Sequence, residues 1–270
     1  MALPRRGDRS ARNALSGTRS TRPLIALGIV ALLAFAVATL PSSLLAGRLQ
    51  RHGLTAVAFT GSIWSGVATG LAWRGAVLGD LRWRIAPLQL LRGRLGAHVL
   101  LTRADGRVES NVAATLAGDL HLEDTSLTLP VEALGVLPVG LPKGWRGHIR
   151  AEFAELELAK GWPVGVRGTI DMDGLVAPPP RNASIGSYHA VLPDPKSQAK
   201  PGADISARVT DKEGPFEVDG RLTLAPDRSF LLDGTLAPRG DTPPALRRSL
   251  ELLGPADAAG RRPFGVSGTI

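Results

Sequence analysis

The segment Phe216-Glu-Val-Asp-Gly-Arg-Leu222 is followed, after a short polar break, by Phe230-Leu-Leu-Asp-Gly-Thr-Leu236. In both, apolar residues and a glycine fall on every second position. Side chains of a strand alternate between faces, so each segment reads as a strand with one apolar and one wet face. The order apolar, any, apolar, any, Gly, any, apolar returns at residues 57–63, 164–170 and 264–270, and more loosely at 114–120. The glycine shares the parity of the apolar residues and is expected on the buried face. There it lets the strand bulge or bend, or lets a neighbouring element approach closely. Asp219-Gly220 and Asp233-Gly234 could also be hairpin turns, but the flanking alternation runs straight through them. With 32 glycines in the chain, so loose a pattern can also arise by chance. Repeated across strands, it predicts a mainly β fold, a strongly curved, mostly antiparallel sheet wrapped around its own apolar face.

The same alternation appears in Leu81-Arg-Trp-Arg-Ile85, in Ile149-Arg-Ala-Glu-Phe153 and in Leu156-Glu-Leu158. Helical signals interrupt it at 87–91, 130–137 and 242–253. The last is the strongest: Thr242 is placed to cap it, its prolines fit the first turn and Gly254-Pro255 ends it. Leu246, Leu250 and Leu253 form one apolar stripe, expected to pack on the sheet. Residues 177–182 and 192–202 read as loops.

Working outward to the start of the chain, residues 24–40 (LIALGIVALLAFAVATL) are apolar almost throughout, and no charge occurs between Pro23 and Gly47. Arg5, Arg6, Arg9, Arg12, Arg19 and Arg22 precede them against Asp8 alone. About 20 apolar residues in a helix cross a hydrocarbon core of about 30 Å. The run to Ala46 is long enough, and the arginines hold the tail on the cytoplasmic side. The reading is a basic cytoplasmic tail at 1–22, a transmembrane helix at 23–46 and a β-rich domain beyond the membrane at 47–270. The anchor presents Leu24, Ile25, Leu27, Ile29, Val30, Leu32, Leu33, Phe35, Val37 and Leu40 to lipid. A cleaved secretory signal, with Ala36-Val-Ala38 before the cut, is the competing reading. Either way most of the chain works outside the cytoplasm.

About 220 residues follow this run, enough for a substantial core. The net charge of +8 includes +5 from residues 1–22 (six Arg, one Asp), which leaves +3 spread over the remainder. That gives no basic stripe for a phosphate backbone, so nucleic acid is not an expected partner. There is no cysteine, which excludes disulfides, thiolate metal sites and cysteine nucleophiles.

The histidines at 52, 98, 121, 148 and 189 show no metal-pair spacing. His121-Leu-Glu123 resembles a fragment of a deaminase motif without its cysteines. Asp171-Met-Asp-Gly174 resembles the start of a calcium loop without its later ligands, and reads instead as a strand-end turn. No nucleophile elbow or phosphate loop occurs. The chain reads as non-enzymatic, with no catalytic residue, cofactor or metal. Among the tryptophans, Trp83 reads as core, while Trp64, beside Gly66 at an expected turn, is the candidate partner contact.

With its basic tail and single span, residues 54–70 including Gly-Ser-Ile-Trp-Ser-Gly, residues 78–95, and the ending at 253–270, the chain resembles the type II secretion system protein N family. The resemblance spans nearly the whole sequence. It implies a single-pass protein of the inner membrane, N-terminus cytoplasmic and main domain periplasmic, accessory to a machine that exports folded proteins across the outer membrane. Its partners would be other secretion-system proteins and the lipid around the anchor, and it favours a retained anchor over a cleaved signal. The same-face glycines leave a second reading, an apolar or lipid ligand held in a β-groove.

Overall fold

A computed structural model describes residues 39–87, 94–115, 117–136, 144–194, 204–240 and 242–269. Apart from residues 39 and 40, these belong to one unit, Pro41–Ile270. The basic tail, the anchor residues from Leu24 to Val37 and most of the helical signal at 87–91 lie outside the described residues. Among the described residues no helix is long and apolar enough to cross a membrane. Leu40 precedes a 3-10 turn, Ser42–Leu45, which leads into the short helix α1, Ala46–Arg51.

The described residues form one sheet of 14 strands, antiparallel throughout. Two short strands, β1 (Leu54–Thr55) and β2 (Ala58–Gly61), share one neighbour, β3 (Ser65–Trp73). A sequential meander follows through β4 (Ala76–Ala86), β5 (Arg94–Arg103), β6 (Gly106–Thr115) and β7 (Leu120–Pro130). It continues through β8 (Arg146–Ala159), β9 (Trp162–Val176) and β10 (Ser184–Leu192). It ends with β11 (Ile205–Glu213), β12 (Phe216–Leu224), β13 (Ser229–Pro238) and β14 (Arg262–Thr269). First and last strands do not meet, so the sheet is open.

Register carries the alternation from strand to strand. Trp83 lies opposite Val99, Val99 opposite Ser110, Leu127 opposite Ala151, Ala151 opposite Ile170 and Ile170 opposite Ala190. Ala190 faces Val209, Val209 faces Gly220, and Gly220 faces Gly234. Directly opposed residues share a face, so one apolar face extends across the sheet and the charged residues share the other. The hairpin reading of Asp219-Gly220 and Asp233-Gly234 is therefore excluded: both glycines are mid-strand and paired with each other. Gly118, in the looser copy of the repeat, does sit in a turn, at φ 89°.

Two strand glycines of the repeat, Gly168 and Gly268, make room for aromatic rings. A Cβ on Gly168 would stand 2.7 Å from the ring of Phe153, its cross-strand partner. One on Gly268 would stand 2.8 Å from the ring of its partner, Phe230. Gly66 and Trp83 repeat the arrangement at 2.5 Å. An aromatic side chain thus closes the gap that each missing side chain leaves in the apolar face.

The sheet bends at β10. Strands two apart in a flat sheet are about 9–10 Å apart, yet β9 and β11 approach within 8 Å. Gly186 sits there at φ 110° between two register shifts, and a Cβ on it would meet the Glu213 carbonyl oxygen at 2.4 Å. Leu192, Ile205 and Ala207 form a buried cluster against Phe153, Val166, Ile170, Leu222 and Leu224.

A 3-10 turn, Val131–Val136, occupies the second helical signal, and α2 (Pro244–Glu251) the third. Thr242 does not cap α2. Its hydroxyl donates to the Pro215 carbonyl, which ties the helix to the start of β12 instead. Of the leucine stripe, Leu250 is buried, while Leu253 is exposed. Asp171 to Gly174 is not a strand-end turn either, because β9 runs through it to Val176.

Candidate interaction surface

The hairpin joining β2 to β3 carries Trp64. The Ser62 hydroxyl oxygen accepts the backbone N–H groups of Trp64 and Ser65, each at 3.2 Å, which closes the turn locally. From β4, the Ile85 N–H donates to the Trp64 carbonyl at 2.6 Å, and Trp83 Nε1 donates to the Ile63 carbonyl at 2.9 Å. Trp83 is 8 % exposed and lies over Gly66, in the core as expected. Trp64 is half-buried at the tip, held from behind by β4. The hairpin thus presents an aromatic residue on a backbone fixed at both carbonyls, the type of rigid anchor that contributes most to protein contacts.

The other tryptophans sit at strand ends. Trp73 Nε1 donates to the His52 carbonyl, with the Arg74 guanidinium 5.1 Å above its ring. Arg228 stands 5.9 Å from the ring of Trp162. Trp145 lines an apolar pocket of about 390 Å³ with Pro178, Pro179, Pro180, Ile185 and Leu246 of α2. The sequence reading missed this pocket. Its components lie about 100 residues apart, and only the run of prolines hinted at it.

On the polar face, charges pair across strands. His98 meets Glu109 at 3.1 Å, His121 meets Glu157 at 3.2 Å, and Arg208 meets Asp219 at 2.8 Å. Arg221 reaches Asp194, which is 1 % exposed, at 2.8 Å. His121 and Glu123 of the deaminase-like fragment are simply neighbours on this face. Lys212 binds Asp171 at 3.0 Å and Asp173 at 3.2 Å, and His189 binds Asp171 at 2.9 Å. Both aspartates of the calcium-like fragment are thus engaged by Lys212 of β11, and Asp171 also by the His189 ring of β10. Burial pushes the Asp171 carboxyl up, but hydrogen bonds from His189 and Lys212 outweigh it, so its pKa lies below the ordinary carboxylate value. Burial, with the nearby Asp211 charge, pushes the Tyr188 phenol up to about 12, and its hydroxyl donates to the Ile185 carbonyl at 2.9 Å.

A cleft of about 760 Å³ opens over β4–β7, where Arg84, His98, Asn111 and Glu123 stand opposite one another in a row. Its wall is largely polar-face residues. With Arg84, His98, Asn111 and Glu123 in its wall, this cleft does not support the reading of an apolar or lipid ligand held in a β-groove. Among the described residues, no group of three His, Asp or Glu is placed to hold a metal ion.

Residues 52–265 match the family model for protein N of the type II secretion system. The chain is 25 % identical to the type II secretion system protein N of Vibrio cholerae serotype O1 over 224 residues, covering 81 % of this chain and 86 % of that protein. It is 26 % identical to the protein of the same name from Aeromonas hydrophila over 260 residues, covering 92 % of this chain and 98 % of that one. The Klebsiella pneumoniae protein of that name is 24 % identical over 226 residues, with 76 % and 79 % covered. No solved structure matches the chain.

Proposed function

The chain belongs to the type II secretion system protein N family, and from that premise we propose that it is a non-catalytic accessory component of the type II secretion apparatus. It contacts other secretion-system proteins in the periplasm, next to the inner membrane, and so supports export of folded proteins across the outer membrane. The observation that carries this reading is the extent of the family match, which begins before β1 and runs into β14. All of the sheet up to the first half of β14 therefore falls within the family match, and a contact surface displayed on it is the functional unit. In this reading residues 1–22 form a cytoplasmic tail, 23–46 a transmembrane helix with lipid around it, and 47–270 a curved periplasmic domain. Trp64, clamped at the β2–β3 hairpin, is the first residue proposed to meet a partner.

The test is photocrosslinking in secreting cells from a probe at position 64, with a probe at the solvent-facing Val164 as reference. Capture of a secretion-system protein from position 64 alone is expected. If no secretion-system protein is captured and deletion of the chain leaves export intact, the proposal fails.

A further inference from the structure

The two edges of the sheet are built differently. At the first edge, pairing is broken into the two-residue β1 and the four-residue β2. Gly61 there takes φ 91°, and Pro41 forms an isolated bridge to Ser62, which brings the 3-10 turn against the edge. Short strands, irregular backbone and covering segments are the devices that keep an edge from pairing with another chain. At the other edge, β14 runs eight residues in unbroken register with β13. Its charge (Arg262) and its proline (Pro263) both stand at its start, and from Phe264 to Thr269 the strand itself carries neither a charge nor a proline. Among the described residues no strand pairs with its outer side, and Val266 at its centre is 53 % exposed.

We propose that this edge is occupied by β14 of a second copy of the chain, running antiparallel about a two-fold axis at Val266. The register argument comes from the sheet itself. Centred on Val266, the pairing sets Phe264 of each copy opposite Gly268 of the other. That is the aromatic-opposite-glycine pair already used by Phe230 with Gly268, Phe264 with Gly234 and Phe153 with Gly168. Gly268, which already lies under the Phe230 ring of its own chain, would present no side chain toward Phe264 of the second copy, so the pair forms without a clash. Val266 would face Val266, and Leu232 lies behind each. Opposed residues share a face, so the apolar faces of the two copies become continuous. The two Arg262 charges would lie eight residues apart along the pairing, about 27 Å, and do not repel appreciably. The contact is isologous, so it closes at two copies instead of growing into a fibre.

The chain contains no cysteine, which makes the test direct. In the full chain, Val266→Cys places each new thiol opposite its symmetry mate, at a Cα separation of about 4.5–5.5 Å, within disulfide range. Mild oxidation of cells producing this variant is expected to give a covalent dimer several-fold more abundant than Leu252→Cys gives. Leu252 is 87 % exposed and caps the C-terminus of α2, outside β14. Val266→Lys sets like charges on the axis. It is expected to convert the purified full chain from dimer to monomer in detergent, with its circular-dichroism spectrum unchanged. The proposal is overturned if Val266→Cys crosslinks no better than Leu252→Cys, if the unaltered chain is monomeric, or if position 266 captures a different protein.

Discussion

Phe264 of β14 stands opposite Gly234 of β13, and its ring tip comes 3.3 Å from where a Cβ on Gly220, one strand further in, would sit. Two glycines and one phenylalanine thus form a single packing unit across three strands.

Filling that unit should be costly. A Cβ on Gly234 would lie 2.4 Å from the Asp219 carbonyl oxygen and 2.5 Å from the Gly220 Cα, so backbone has to move. Gly234→Val is expected to lower stability by about 1–3 kcal/mol, as overpacking does, read as a lower urea midpoint. Gly265→Val, at a position where nothing lies within 4 Å of the added Cβ, is the matched control. Equal midpoints for the two variants would contradict the packing role of Gly234.

Trp83 and Trp64 should separate stability from contact. Trp83→Ala removes a buried ring and the hydrogen bond to Ile63, with an expected loss of about 3–5 kcal/mol. Trp64→Ala, at the half-buried tip, is expected to cost less while lowering capture of secretion partners in cells. A large loss of stability with Trp64→Ala, and none in partner capture, would make Trp64 a structural residue only.

Ser110 and Thr125 are buried on the apolar face and share a hydrogen bond of 2.7 Å between their hydroxyls. Ser110→Ala leaves the Thr125 hydroxyl without this partner, and a loss of about 1–3 kcal/mol is expected. Adding Thr125→Val removes the orphaned hydroxyl and is expected to recover part of that loss. Additive losses in a double-mutant cycle would show that the two hydroxyls do not depend on each other.

Asp171 makes stability depend on pH in a defined direction. Its pKa is depressed in the folded chain, so its contribution is present above the unfolded carboxylate value and fades as pH falls through the folded value. The melting-temperature gap between the unaltered chain and Asp171→Asn should be widest near neutrality and close on acidification. A gap that widens in acid would reverse the assignment. On the alkaline side, Tyr188 is pushed up to about 12, and no phenolate absorbance is expected at about pH 10, where an ordinary tyrosine is half ionised. The chain has one tyrosine, so the signal is unambiguous.

Alternation along single segments determined the strands around Leu81, Ile149, Phe216 and Phe230, because the face of a side chain depends only on its parity. The first-turn prolines and the Gly254-Pro255 break likewise placed α2 close to its observed bounds. The same-face glycines were legible as an oddity of the apolar face, but their aromatic partners were not. Phe153 and Gly168, or Phe264 and Gly234, meet through cross-strand register, and register depends on pairing between segments that local pattern does not encode. For the same reason Asp171 found Lys212 only in the folded chain, 41 residues away, and Thr242 left its expected cap for Pro215. The contrast between a blunted first edge and a β14 whose outer side is unpaired among the described residues also belongs to the tertiary structure alone. An edge is defined by what fails to pair with it, and that is settled only when every other strand has found its neighbour.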